Sequence, residues 1–344
     1  MQALVKYARG PHNIALREVP EPECGPGQVK IAIKAAGICG TDIHVYHDTF
    51  ATTPPVILGH EFCGQVVEVG QEVTRFKVGD RVTAENVCRF CGRCFLCHTG
   101  HYPLCPERKA QGLDLDGAFT SYLVADEEFV FKIPDNISFE EGALSEPLAC
   151  CAHAVLDQTK CRAGDVVLVS GPGAIGLLTM QLAKAEGATI IMAGTDLDAE
   201  RLAIARALGA DGVVNIQQQD IKQVVQELTD GRGVDVVLEC SGAAPAVNMG
   251  LELVRKRGKY TQVGLFGKPV TIDLEKVCYK EIKLTGSLSH SRDAWIRGLK
   301  LVEQGKIQLK PLITHILSIS EWEEGFRLFS EKKGLKIILK PVQC

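Results

Sequence analysis

The sequence predicts an α/β protein of two domains: a β-rich, barrel-like first part, then a doubly wound parallel sheet with helices on both faces. Three observations lead there. At 344 residues the chain is too long for one ordinary core and suits about two. Its early part alternates polar and apolar residues in short runs broken by Gly and Pro, the pattern of antiparallel strands and turns. From about residue 155, apolar runs alternate with amphipathic stretches, the pattern of strands joined by crossover helices.

The first elements are LVKY, IALREV and VKIAIKAAG, separated by Gly10–Pro11 and PEPECGPGQ; FCGQVVEVG and FKVGDRVTAE continue the series. The second part opens with DVVLVSGPGAIGLLTMQLAKAEGA, read as buried strand, tight turn and helix. TIIMAG and DAERLAIARALGA follow, then DGVVNI and IKQVVQELT, VDVVLECSG and AAPAVNMGLELV, and GKYTQVG. The segment GKPVTIDLEKVCYKEIKLTG alternates in a way that suits an edge strand. After it, AWIRGLKLVEQGKI and EWEEGFRLFSEKK read as amphipathic helices, and GLKIILKPV as a short last strand.

Composition narrows the function. Hydrophobic residues make up 46% and charged residues 23%, ordinary values for a globular chain. A net charge of −4 gives no electrostatic case for nucleic-acid binding. No apolar run approaches the roughly 20 residues of a membrane span, and MQALVKYARG lacks the pattern of a signal peptide. The expectation is a cytoplasmic protein. Fourteen cysteines in such a chain point to metal rather than disulfides.

Two stretches carry metal-ligand chemistry. In GICGTDIHVYHDTFATTPPVILGHE, Cys39, His60 and Glu61 offer a thiolate, an imidazole and a carboxylate, ligand types that zinc accepts. Cys39 precedes His60 by twenty-one residues, so the chain must fold back to unite them. Asp42 is a candidate to hold the ring of a ligating His. Further on, Cys91, Cys94, Cys97 and Cys105 stand as C-x2-C-x2-C-x7-C, a spacing that closes a four-thiolate site. Cys88 falls outside that pattern and is read as a bystander, His98 and His101 as solvated loop residues. Cys24, Cys161, Cys240, Cys278 and Cys344 are dispersed and receive no role. Glu146 stands just before Pro147 in EPLACCAHAV, which reads as a helix start where an acid favours the dipole; Cys150 and Cys151 are expected to pack.

The turn between the first strand and helix of the second part carries Gly171, Gly173 and Gly176 as G-x-G-x-x-G. Between an apolar strand and a helix this is a dinucleotide fingerprint. Asp196 lies twenty residues after Gly176, about where an acid accepts the ribose hydroxyls of NAD. Ile175, Val263, Gly264, Leu265, Ser287 and Leu288 complete the expected cofactor contacts.

GICGTDIH followed by LGHE resembles the zinc-dependent medium-chain alcohol and polyol dehydrogenases, and among them the sorbitol and threonine dehydrogenase branch. The resemblance extends over the whole chain. It implies a GroES-like barrel over 1–154, with a structural-zinc lobe near 88–106, and a Rossmann domain over 155–289. Residues 290–344 would return to the first domain, with the active site in the cleft between the two. Two zinc ions per subunit are implied. Cys39, His60, Glu61 and Glu146 would face the catalytic ion, and the four clustered cysteines would hold the other. Thr41 and His44 would carry the alcohol proton away. Against related polyol dehydrogenases the acid at Asp196 is displaced by one position. Thr195 then takes its place; Gly194 and Thr195 would leave room for a 2′-phosphate and Arg201 would help hold it, but NAD is expected in preference to NADP. The expected substrate is a secondary alcohol of a polyol or sugar alcohol, oxidised to a ketone. A threonine-3-dehydrogenase-like activity is the alternative, although the tryptophan motif typical of those enzymes is absent after His44–Val45–Tyr46. An inactive nucleotide- or zinc-binding sensor is the alternative of another class. Ser289 and His290 stand where animal sorbitol dehydrogenases carry an Arg–Tyr pair. A homotetramer or homodimer is implied by edge strands that pair across subunits in this family.

Overall fold

A computed structural model of the protein describes residues 1–342; Cys344 lies outside the described residues. The chain forms two compact units. One comprises Met1–Glu146 and the segment from Leu312 onward, the other Pro147–Pro311. These limits differ from the 154/155 and 289/290 divisions expected from sequence. Residues 147–159 and 290–311 belong to the second unit because its core and polar network hold them. Thr159 Oγ1 lies 2.8 Å from Thr261 Oγ1. Arg297 pairs with Asp157, and Gln181 exchanges hydrogen bonds of 3.1 and 2.8 Å with the backbone of Gln308.

The first unit is built on a largely antiparallel sheet. Its path runs Val130–Lys132, Arg81–Ala84, Glu61–Val69, Gln28–Gly37, Lys336–Lys340 and Ile313–Ser318, with Tyr122–Asp126 also pairing to Gln28–Gly37. A second sheet orders Ile14–Glu18, Gln2–Lys6 and Val56–Ile57. The alternating residues of these strands close over one core that includes Ile31, Phe62, Val82, Phe119 and Ile337. Register decides the position of the site. Gln28–Gly37 pairs antiparallel with Glu61–Val69 so that Gly37 faces Glu61, which closes the gap between Cys39 and His60.

The second unit holds a six-stranded parallel sheet in the order Gly212–Asn215, Thr189–Gly194, Val166–Ser170, Val234–Glu239, Val254–Gln262, Lys283–Gly286. Its inner strands Val166–Ser170, Thr189–Gly194 and Val234–Glu239 are largely apolar and buried, as in a sheet covered on both faces. Connection direction reverses between Val166–Ser170 and Val234–Glu239, and ligands bind beyond the carboxyl ends at such a switch point. The expected long edge strand is shorter than its alternation suggested. Lys283–Gly286 is the strand, and a helix, Glu275–Tyr279, precedes it, because Val277 packs onto the sheet's core. Among the described residues no helix is long and apolar enough to cross a membrane.

Candidate active site, metal centres and nucleotide crevice

Helix Gly40–Tyr46 starts where strand Gln28–Gly37 ends. Its N-cap is Cys39, and Asp42 accepts a hydrogen bond from the Cys39 N–H at 2.8 Å. This cap fixes the turn that carries the thiol. Glu61 opens the partner strand and His60 immediately precedes it, so Cys39 Sγ, a His60 ring nitrogen and a Glu61 oxygen all fall within 4.8 Å of one another. Gly37 is required at this point: a Cβ there would sit 2.5 Å from Glu61 Oε2.

His60 and Glu61 are buried, Cys39 is half-buried, and the set is largely anionic. His60 is 4% exposed and Asp42 fully buried. His60 Nδ1 lies 3.7 Å from Asp42 Oδ1, and neither atom has a hydrogen-bond partner. Burial alone would lower the imidazole pKa. Cys39, Asp42 and Glu146 outweigh it and hold the ring well above its ordinary value. Burial likewise raises Asp42, despite His60 beside it. Three donors of the right types, converging where a cation is electrostatically favoured, fit zinc.

Lys336 is the residue that sequence reasoning missed. It comes from the strand Lys336–Lys340, is 4% exposed, and its Nζ donates to Glu61 Oε2 and, at 3.2 Å, to the Ile38 carbonyl. Burial lowers its pKa, but Glu61 and Cys39 more than compensate and the net shift is upward. A lysine at the start of a short apolar strand, KIILK, carries no sequence signal that it points inward. Glu146 is nearby but lies outside the 4.8 Å set; Asn86 Nδ2 donates to its Oε1 at 3.3 Å. Thr41 Oγ1 is 3.6 Å from Cys39 Sγ. His44, three residues on along the same helix, is exposed, with Nδ1 3.1 Å from Thr49 Oγ1.

The four-cysteine loop folds as its spacing predicts. Sulfur separations are 3.8 Å for Cys91–Cys97, 3.4 Å for Cys94–Cys97, 3.9 Å for Cys94–Cys105 and 3.6 Å for Cys91–Cys105. Zinc–sulfur bonds of about 2.3 Å in a tetrahedron set sulfurs about 3.8 Å apart, so the cage matches the ion. The backbone N–H of Arg93, aided by that of Cys94, holds the Cys91 thiol down to about 7, which favours the thiolate that metal needs. Burial instead pushes Cys88 up to about 11; it stands apart from the cage, as do His98 and His101.

In the second unit, Gly171 follows Val166–Ser170 with φ +92°, and a Cβ on Gly176 would lie 1.9 Å from the Gly171 carbonyl. The fold therefore demands both glycines. Gly173, the N-cap of helix Ala174–Ala185, is different: a Cβ there would meet nothing within 4 Å. Its missing side chain leaves open space over the N–H groups of a helix N-terminus, where a pyrophosphate binds. Gly264 and Gly242 approach closely, a Cβ on Gly264 falling 2.3 Å from Gly242 N. Buried Glu239 fastens these loops, accepting from Ser241 N at 2.8 Å, Gly242 N at 3.0 Å and Gln262 Nε2 at 2.6 Å; it too carries no sequence signal. Val263, Gly264 and Leu265 follow one strand and Ser287 and Leu288 the next, all at carboxyl ends, with Leu265 69% and Leu288 50% exposed. Ile175 lies in the first turn of the helix and its carbonyl meets Cys151 Sγ at 3.4 Å.

A metal cradle in a β-rich unit and a dinucleotide sheet in the same chain are the working parts of a metal-dependent dehydrogenase. Residues 25–135 match the alcohol dehydrogenase GroES-like domain, and residues 174–304 the zinc-binding dehydrogenase model. The chain is 45% identical to a sorbitol dehydrogenase of Halalkalibacterium halodurans, covering 99% of this chain and 100% of the relative. It is 42% identical to a D-arabitol-phosphate dehydrogenase of Enterococcus avium, over 99% and 97%. The crystal structure of 2R,3R-butanediol dehydrogenase from Bacillus subtilis superposes with a TM-score of 0.88 at 34% identity, over 99% of each chain. The chain belongs to the zinc-dependent medium-chain alcohol and polyol dehydrogenases, and is an oxidoreductase.

Proposed function

We propose that the protein oxidises a secondary alcohol of a polyol, free or phosphorylated, to the ketone, with NAD as hydride acceptor. The convergence of Cys39, His60 and Glu61 within 4.8 Å beside the helix that carries Thr41 and His44 supports this reading most strongly. The similarity to sorbitol and arabitol-phosphate dehydrogenases supports the substrate class.

Cys39, His60 and Glu61, with Glu146 nearby, would hold the catalytic zinc; Cys91, Cys94, Cys97 and Cys105 would hold the structural ion. When bound, the catalytic zinc supplies a Lewis acid that lowers the pKa of the alcohol. Asp42, with Oδ1 3.7 Å from His60 Nδ1, would orient the ring by charge. Lys336 would compete with the metal for the Glu61 carboxylate, which makes Glu61 the ligand suited to leave and return. Thr41 accepts the hydroxyl proton and His44, exposed on the same helical face, passes it to solvent. The substrate carbon would give its hydride to bound NAD, and the one proton released would leave through Thr41 and His44, which balances the two-electron oxidation.

Gly171, Gly173, Ile175 and Gly176 bind the pyrophosphate, and Asp196 accepts from the adenosine ribose. Val263, Gly264, Leu265, Ser287 and Leu288 line the rest of the cofactor's path. Arg201 lies 3.6 Å from Asp198, a partner it would have to leave to serve a 2′-phosphate, which favours NAD. The edge strand Lys283–Gly286, with exposed Leu284 and Tyr279 nearby, suits pairing with a second copy, and we assign the enzyme to a cytoplasmic homodimer or homotetramer. The test is a panel of free and phosphorylated polyols, vicinal diols and amino alcohols with NAD and NADP, followed at the reduced-nicotinamide absorbance. Turnover confined to amino alcohols, or none with two zinc ions bound, overturns the reading.

A further inference from the structure

The carboxylate of Asp196 is aimed by its neighbours. Thr189–Gly194 and Gly212–Asn215 run in parallel with Gly194 opposite Asn215, so two turns leave the sheet side by side. The Ile216 N–H donates to the Gly194 carbonyl at 3.0 Å. In the first turn Asp198 Oδ2 accepts from the Thr195 N–H at 3.0 Å and hydroxyl at 2.8 Å, which commits Asp198 to its own turn. Asp196 faces the second turn. Its N–H donates to Gln217 Oε1 at 2.8 Å. Its Oδ1 accepts from Asn215 Nδ2 and from Gln218 Nε2, both at 2.7 Å. Its Oδ2 accepts no hydrogen bond among the described residues, and the side chain is exposed.

Asn215 is itself fixed, and it holds the backbone of Gln218. Asn215 Oδ1 accepts from the Gln217 N–H at 3.1 Å, so the nitrogen end of that amide must face Asp196. The Asn215 carbonyl takes the N–H groups of Gln218 and Gln219 at 3.0 and 2.9 Å, and Gln219 Oε1 accepts from the Asn215 N–H at 3.2 Å. An acid on an exposed turn would otherwise sample several rotamers. Here two hydrogen bonds to a charged oxygen, the stronger kind, hold one end of the carboxylate and turn the other outward.

We propose that Asn215 and Gln218 are positioning residues for cofactor selection. By clamping Oδ1 they present Oδ2 to the diol of the adenosine ribose and keep an anion where a 2′-phosphate would have to lie. The inference rests on the reading of Asp196 as ribose acceptor. It also predicts a reversal: with the Asp196 carboxylate gone, the same two amides become free donors for a phosphate.

The experiment measures NADH and NADPH dissociation constants by nicotinamide fluorescence on the zinc-loaded enzyme, which needs no substrate. Wild type is compared with Asn215→Ala, Gln218→Ala, the double variant, Asp196→Ala, and Asp196→Ala combined with the double variant. The clamp predicts that Asn215→Ala/Gln218→Ala narrows the NADH preference at least fivefold, chiefly through weaker NADH binding, with Tm and zinc content retained. Asp196→Ala should strengthen NADPH binding at least fivefold, and the triple variant should lose that gain. If Asp196→Ala erases the preference while the double variant stays within twofold of wild type, the clamp is wrong and the ribose reading stands. If Asp196→Ala leaves the preference unchanged, both are wrong. Should Asn215→Ala fail to fold, Gln218→Ala tests the clamp alone: this change at an exposed turn residue should narrow the preference at least twofold, and an unchanged preference overturns the clamp.

Discussion

Lys336 Nζ meets Glu61 Oε2 inside the first unit, with only 4% and 2% of the two side chains exposed. The pair joins the residue after His60 to a strand far downstream. A charge so buried is tolerable only while its partner remains.

Lys336→Met should therefore cost about 3–5 kcal/mol, the usual penalty for orphaning a buried charge. Lys336→Met combined with Glu61→Gln should cost clearly less, because no unpaired anion is left. Chemical denaturation of the chelator-treated proteins, in which no metal competes for Glu61, measures both, and equal losses would show that the pair adds nothing beyond side-chain packing.

Removal of one thiol from the four-cysteine cage should act on stability. Cys97→Ser is expected to bind one zinc per chain instead of two and to unfold at lower temperature, with turnover per folded molecule retained. Metal analysis and calorimetry check this; an unchanged Tm in a protein that has lost the loop zinc would contradict it.

At the other cluster the effect should fall on chemistry. Glu61→Gln and Glu146→Gln are each expected to lower kcat more than tenfold, about 1.4 kcal/mol of barrier. Cys39→Ser should remove the catalytic zinc and leave the loop zinc in place. Wild-type kcat and zinc content in Glu146→Gln would reduce Glu146 to a helix-start acid tied to Asn86.

Acid sensitivity should trace in part to Asp157. Its oxygens accept from Ser291 Oγ at 2.8 Å and lie 2.8 Å from His153 Nδ1, with Arg297 alongside. Burial pushes its pKa up, but His153, Ser291 and Arg297 outweigh burial and the net shift is downward. A depressed folded pKa means the unfolded chain binds the proton more readily. The stabilisation is thus fully present above the unfolded value of about 3.9 and fades as pH falls through the folded one. Asp157→Asn should be less stable than wild type at pH 7, with the gap closing below about pH 4. A gap that does not change with pH would assign the effect to packing.

Much of the fold and site was legible because zinc and pyrophosphate impose spacing. C-x2-C-x2-C-x7-C and G-x-G-x-x-G announce themselves in one dimension, since the ion or phosphate needs those residues on one short loop. Cys39 and His60 required a fold-back, which the flanking alternation supplied as an antiparallel pair. Lys336, Asn86 and Glu239 were not legible. Lys336 and Asn86 act through partners distant in sequence, and Glu239, at the end of its strand, ties its own loop to Gln262 of the next; nothing in the local sequence marks any of the three as turned inward. The unit boundaries differ from expectation for a related reason. The helix from Ser145 continues as a π-helical turn over His153–Thr159, and no local pattern shows which core claims it.

Strand Lys336–Lys340 lies between Gln28–Gly37 and Ile313–Ser318, and Lys336 reaches Ile38 across 298 residues of chain. A ribosome emits Cys39, His60 and Glu61 early, yet the lysine that neutralises Glu61 arrives only after the whole second unit has been made. Since domains tend to fold as units while the chain grows, the nucleotide unit can be complete while the sheet beside the catalytic cluster still has an open slot. The nascent site would hold its thiolate, imidazole and carboxylates with no internal counter-cation. The cluster's pull on a cation should therefore be strongest while that strand is still undocked, and should weaken once Lys336 sits beside Glu61.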